Sequence, residues 1–211
     1  MLFQEALVWK RLAHPNIVPF IGVMIDPPQI ASQWMPHGRL TTYAKSNPQK
    51  QVPLVSLSLR FSTLGLNFYQ LIDVAKGLDY LHSHGVIHGD LKGVSAYRYL
   101  LTTSLIDHSQ PNILVDDSGR ARITDFGISR DTLSVAFVPD AQSLRWTAPE
   151  VLAKTGTPST EADVFSFGMV MFEVHYNSIT ARTPGLTAFC FVLIRFLLAR
   201  FRLVTKFPRR R

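Results

Sequence analysis

One cysteine, Cys190, stands in 211 residues, so neither an internal disulfide framework nor a multi-cysteine zinc site is available. A reducing compartment suits such a chain. The longest apolar stretch, L-T-A-F-C-F-V-L-I-R-F-L-L-A-R-F-R-L-V from Leu186, runs fourteen residues before its second arginine and already contains Arg195, whereas a bilayer needs ~20. The opening M-L-F-Q-E-A-L-V-W-K-R lacks a cationic start and carries Glu5 within its apolar run, unlike a secretory signal. The cytosol is the expected location. Acid is missing from residues 176–211, which hold eight Arg or Lys, while residues 1–175 hold 14 basic and 15 acidic side chains. The net charge of +7 therefore belongs to a tail and not to a groove in the body, and nucleic acid is not an expected partner. The tail is not expected to make membrane contact. A composition of 46% hydrophobic, 18% charged and 11% aromatic residues excludes a disordered or collagen-like chain. No internal repeat is present.

What is present is a mixed pattern of helical and strand periods. Leu2, Phe3, Ala6, Leu7, Trp9 and Leu12, with Glu5, Lys10 and Arg11 between them, predict an amphipathic helix over 1–13, stopped by Pro15. Two β-like runs, 17–25 and 29–35, flank Asp26, Pro27 and Pro28 and predict a strand pair, with a turn at His37 and Gly38. Leu71, Val74, Ala75, Leu78 and Leu81 predict a second helix ending near His84 and Gly85. Short β-like runs follow at 86–87, 113–115 and 121–123. The last two flank Asp116, Asp117, Ser118 and Gly119, a hairpin signature. A last helix over about 162–174 is apolar on nearly every side and should be buried. Two stretches, Val55–Gln70 and Val94–Gln110, show neither period. Both begin Val-Ser and end in Gln.

The chemistry-bearing residues come in linked motifs: H-G-D-L-K at His88–Lys92, P-N-I-L-V at Pro111–Val115, D-F-G at Asp125–Gly127, A-P-E at Ala148–Glu150, and D-V-F-S-F-G at Asp163–Gly168. A lone D-F-G recurs by chance, but this ordered set is specific. Over about residues 1–175 the chain resembles the protein kinase superfamily, and R-W-T-A-P-E resembles its tyrosine-kinase-like serine/threonine group. The resemblance implies an α+β, two-lobed fold, here truncated. A partial small lobe would span residues 1–35 and a partial, mainly helical large lobe residues 36–175, with inserts at 55–70 and 94–110. An aberrant basic and apolar tail, 176–211, would follow.

The implied activity is transfer of the γ-phosphate of ATP, with Mg²⁺, to serine or threonine hydroxyls of a protein substrate. Such transfer asks the protein for alignment and charge balance and for little covalent work. Asp90 would orient the acceptor hydroxyl and take its proton, and Lys92 would contact the transferred group. Asp125 and Asn112 would hold Mg²⁺. Glu5 would be the helix carboxylate that pairs with a strand lysine at the phosphates. The backbone of Gln33 and Met35 would meet adenine, and Leu114 would floor its pocket. Trp9, Phe20, His88 and Phe126 align with the family's stacked apolar spine, while Trp146 and Thr147 would sit at the substrate end of the activation segment. Lys92 after Asp-Leu favours serine or threonine over tyrosine. Gly89 replaces the family's usual arginine, which removes the customary partner of an activation-loop phosphate. His82, His84 and His88 could be taken for a metal cluster, but no Cys or carboxylate stands at a matching spacing.

Twenty-two positions separate Asp90 from Asn112, where the family has five, and removing the seventeen of Val94–Gln110 restores five. Val-Ser fits the GT edge of an intron and a terminal Gln its CAG edge, so both inserts read as in-frame retained introns; surface insertion is the alternative. Only four residues precede Glu5, without a glycine-rich phosphate loop or strand lysine. As written, the chain is expected to be inactive, since phosphoryl transfer depends on positioning. A non-catalytic pseudokinase or scaffold binding protein partners is the alternative function.

Overall fold

The computed structural model describes residues 2–47, 68–93, 111–126, 143–153 and 157–179. Helix α1, Leu2–Trp9, buries Ala6 and Trp9, and turns Phe3 and Leu7 to the surface. It is shorter than the 1–13 helix its apolar spacing predicts. The amides of Arg11 and Leu12 bond to carbonyls only three residues back, Val8 and Trp9, which tightens the chain into a turn and still buries Leu12.

Strands β1, Phe20–Met24, and β2, Gln29–Ser32, pair antiparallel, with a bulge between Phe20 and Gly22. Each is shorter than expected for a physical reason. Pro19 has no N–H to give a ladder, so Ile17 and Val18 pair with Ile123 instead, and Gln33 N–H closes onto the Pro19 carbonyl at 3.0 Å. Gly38 takes the left-handed φ of +62° at the expected turn, donating its N–H to Met35 O at 3.0 Å.

The second part of the chain is mainly helical. Helix α2, Leu40–Ser46, escapes sequence reading because it is short and carries two threonines, yet Leu40, Tyr43 and Ala44 share one buried face. Helix α3, Phe68–Ser83, is capped by a Schellman motif: Gly85 has φ +72°, Gly85 N–H bonds to His82 O at 3.1 Å and Val86 N–H to Leu81 O at 3.0 Å. That cap uses the Val86 amide, and the β-run expected at Val86 and Ile87 forms no strand. Strands β3, Ile113–Val115, and β4, Ala121–Ile123, make the expected hairpin. Its turn is built on Asp116, which accepts bonds from Ser118 N, Ser118 Oγ, Arg120 N and Arg122 Nε at 2.7–3.0 Å. Burial pushes the Asp116 carboxyl up, but the bonds from Ser118, Arg120 and Arg122 carry it below its ordinary value.

Helix α4, Pro149–Leu152, begins with proline at its first turn. Helix α5, Thr160–Ile179, starts earlier than expected because Ser159 caps it, its Oγ accepting Ala162 N–H at 3.2 Å. It also extends past the expected end. One apolar cluster runs through both lobes, from Trp9 and Ile17 to Leu78, Leu81, Phe126 and Val170. Each fully buried leucine in it contributes about 1.5–3 kcal/mol. Residues 55–67 and 94–110 lie outside the described residues, but Phe68, Tyr69 and Gln70, which end the first aperiodic stretch, are the first turn of α3. Gln70 Nε2 donates to Gly119 O at 2.8 Å, a long-range bond that no local period announces.

Candidate functional site

The loop after α3 is held from behind by α5. Asp163, buried in the first turn of α5, accepts the amides of His88 and Gly89, each at 2.8 Å, and stands 2.9 Å from His82 Nε2. Gly89 has φ +78°, a backbone setting that glycine adopts freely. His88 is fully buried. Its Nδ1 accepts Asp90 N–H at 3.2 Å, so the neutral ring donates from Nε2 to Thr124 O at 3.0 Å. It is a structural ring in a stack: His88 to Phe126 is 5.7 Å between centres, Phe126 to Trp9 5.2 Å, and Trp9 to Phe20 6.2 Å. The four residues aligned with an apolar spine are thus in contact. His82, His84 and His88 each have other partners: Asp163, the Tyr80 carbonyl and Thr124.

On this support sits a compact polar group. Lys92 Nζ donates to Asp90 Oδ2 at 2.7 Å and to Ser143 Oγ at 3.2 Å. Asn112 is fully buried, and its Nδ2 donates to the Asp90 carbonyl at 2.5 Å and reaches Asp90 Oδ2 at 3.5 Å. Asn112 N–H bonds to Lys92 O at 3.2 Å, and Thr124 N–H to Asn112 O at 3.0 Å. Asp90, Lys92 and Asn112 therefore meet although seventeen more residues than the family spacing lie between them. Both flanks of the gap, at Lys92 and Asn112, are tied directly to each other.

Asn112 Oδ1 is buried and accepts no hydrogen bond from the described residues. A buried oxygen without a donor invites a cation, and the carboxylate of Asp125 lies on the same strand exit, one residue past Thr124. Asp125 is exposed and holds a left-handed φ of +65°. Glu5 faces it from α1. Burial first, then the Asp125 charge, push the Glu5 carboxyl above its ordinary value, partly offset by a bond from the Phe126 amide. Among the described residues no three His, Cys, Asp or Glu side chains form a metal cage. One amide oxygen and one carboxylate suit Mg²⁺, which is usually completed by phosphates and water.

The remaining predicted residues lie around the other edge. Gln33 is exposed, with its N–H bonded to Pro19 O. Met35 is buried, its carbonyl accepting Gly38 N–H. Leu114 is half-buried on β3, bridging to Arg39 next to that turn, where His37 N–H bonds to Val115 O at 3.2 Å. A shallow open cleft lies beside Asp90, lined by Gly89, Ser143, Trp146, Thr147 and Ala148 among others. Sequence reading placed Asp163 in a motif without giving it a role, and it missed Ser143. The acidic first turn of α5, with Glu161 and Asp163, was the available signal for that role; Ser143 gave none.

The sequence profile described as protein tyrosine and serine/threonine kinase matches residues 1–187. The chain is 31% identical over 184 residues to the serine/threonine-protein kinase STY46 of Arabidopsis thaliana, covering 86% of this chain and 26% of that protein. It is 31% identical over 173 residues to the serine/threonine/tyrosine-protein kinase HT1 of Arabidopsis thaliana, covering 81% and 37%. To the tyrosine-protein kinase Abl of Drosophila melanogaster it is 31% identical over 176 residues, covering 81% and 9%. It thus spans well under half the length of these relatives.

Proposed function

The chain belongs to the protein tyrosine and serine/threonine kinase family, and from that premise we propose that it is a serine/threonine-directed kinase domain of the tyrosine-kinase-like group, moving the γ-phosphoryl group of ATP to a protein hydroxyl. The observation that carries this reading is the buried, undonated Oδ1 of Asn112 beside Asp90. Asp90 orients the acceptor hydroxyl and accepts its proton. Its pairing with Lys92 at 2.7 Å aims both groups at one place. Asn112 Oδ1 and Asp125 are the oxygens that would hold Mg²⁺, which when bound balances the charge of the phosphates. Met35 N–H has no acceptor among the described residues, which suits donation to adenine, and Leu114 supplies apolar surface nearby. Glu5 stands ready for a cation at the phosphates. The acceptor peptide would lie along Trp146 and Thr147, in the pocket that reaches Asp90.

The test is transfer of radiolabelled phosphate from Mg-ATP to a generic basic acceptor protein, read out as phosphoserine and phosphothreonine. Asp90→Asn should lower the rate by about 10²–10⁴-fold. Equal labelling by the two chains sinks the assignment of Asp90. Binding of Mg-ATP with no transfer at all would make the chain the non-catalytic, partner-binding alternative.

A further inference from the structure

A second cluster of titratable rings lies where the α1–β1 connection crosses α3. The His14 imidazole lies on the Tyr80 phenol, ring centres 4.7 Å and planes 21° apart, and the His84 ring centre is 4.2 Å from the same phenol. Tyr80 Oη accepts Ala13 N–H at 3.0 Å, and His84 Nδ1 is 2.8 Å from the Tyr80 carbonyl. His14 Nδ1 accepts Asn16 N–H at 3.1 Å. That bond needs a bare Nδ1, so the neutral ring carries its proton on Nε2. Protonation would set one donor against another. The charged and titratable groups facing His14 are Asp73, Lys76, Asp79, Tyr80 and His84, all on α3 or at its end. Burial first, then Lys76, hold the imidazole below the ordinary histidine value, with His84 adding to them and Asp73 and Asp79 opposing. An imidazolium would gain from the face of Tyr80, but it would lose the Asn16 bond, bear the cost of partial burial and be repelled by Lys76.

The turn that His14 opens is a structural joint. Ile17 N–H bonds to His14 O at 3.0 Å. Buried Asn16 pins β4, its carbonyl accepting Ile123 N–H at 2.9 Å and its Nδ2 donating to Ala121 O at 3.0 Å. Gly77 of α3 packs so close that a Cβ there would come within 2.8 Å of Asn16 O. Strand β4 leads through Thr124 to Asp125.

We propose that the His14–Tyr80–His84 stack is a proton-sensitive clasp: neutral His14 closes the turn onto α3 and fixes β4, and protonated His14 releases both. Because the folded chain binds this proton more weakly than the unfolded chain, stability is complete above the ordinary histidine value of ~6.5 and is lost as pH falls from there through the folded value. Two measurements on the full chain test it. In an NMR titration the His14 ring should have its midpoint below the ordinary value. In urea unfolding from about pH 7.5 down to below the folded midpoint, the folding constant should fall, approaching about tenfold for each unit of that depression. His14→Asn keeps a side-chain acceptor for the amide two residues on and cannot titrate, so it should lack that fall. A His14 midpoint at or above the ordinary value, or the same acid loss in His14→Asn, overturns the clasp.

Discussion

The acceptor half of the site and its nucleotide half are built differently. Asp90, Lys92 and Asn112 are tied to one another and, through His88 and Gly89, to the buried carboxylate of Asp163. Glu5 on α1, Gln33 and Met35 just after β2, and Asp125 just after β4 come from separate short pieces of the chain, and two of them are carboxylates that repel. The acceptor half is therefore preorganised by the core, while the nucleotide half carries negative charge that a metal-bound ligand would balance. Removing the groups that hold the first in place should weaken the fold, and substitutions in the second should spare it and abolish binding.

The largest expected effect is Asp163→Ala. It leaves the buried His88 amide and the half-buried Gly89 amide without an acceptor and His82 without its partner, and should cost about 3–5 kcal/mol of stability in urea unfolding. A loss no larger than that of a surface substitution would mean that the loop is held by something other than α5. Next, Leu78→Ala in the core shared by both lobes should cost about 2–5 kcal/mol by the same assay, without a selective effect on either half. Asp125→Gly goes the other way. Its φ of +65° is left-handed, so glycine there should stabilise the chain by roughly 1 kcal/mol while removing Mg-ATP binding. Destabilisation by this change would show that the Asp125 side chain helps to hold the fold, and the contrast between halves would fail. The smallest effect is that of Glu5 on pH dependence. Its carboxyl is raised, so the folded chain holds that proton more tightly, and its contribution is full below the unfolded value and lost as pH rises through the folded one. Glu5→Gln should flatten this part of the stability curve; an unchanged curve would place Glu5 outside the influence of Asp125.

Much of this arrangement was legible from local pattern. Helix α3 from Leu71 on follows an apolar period, α5 is apolar on nearly every side, and the Asp116–Gly119 turn announces the β3–β4 hairpin. The grouping of Asp90, Lys92 and Asn112 was legible by motif order and by subtracting Val94–Gln110. Illegible features depend on distant partners. Asp163 acts on residues about 75 positions away, the start of α3 leans on Gly119, and Ile17 leaves the strand pair for Ile123 because Pro19 interrupts the ladder. Helices α2 and α4 are too short for a period to show.

The central claim is that Asn112 and Asp125, beside Asp90, cradle a metal-bound nucleotide. Thermal unfolding of the full chain with ATP, with and without Mg²⁺, tests it most directly. The account predicts a rise in Tm that needs Mg²⁺, equivalent to about 2.7 kcal/mol at a hundredfold excess over Kd, and that disappears in Asp125→Ala. A rise of the same size without Mg²⁺ or in Asp125→Ala, or no rise at all, would contradict it.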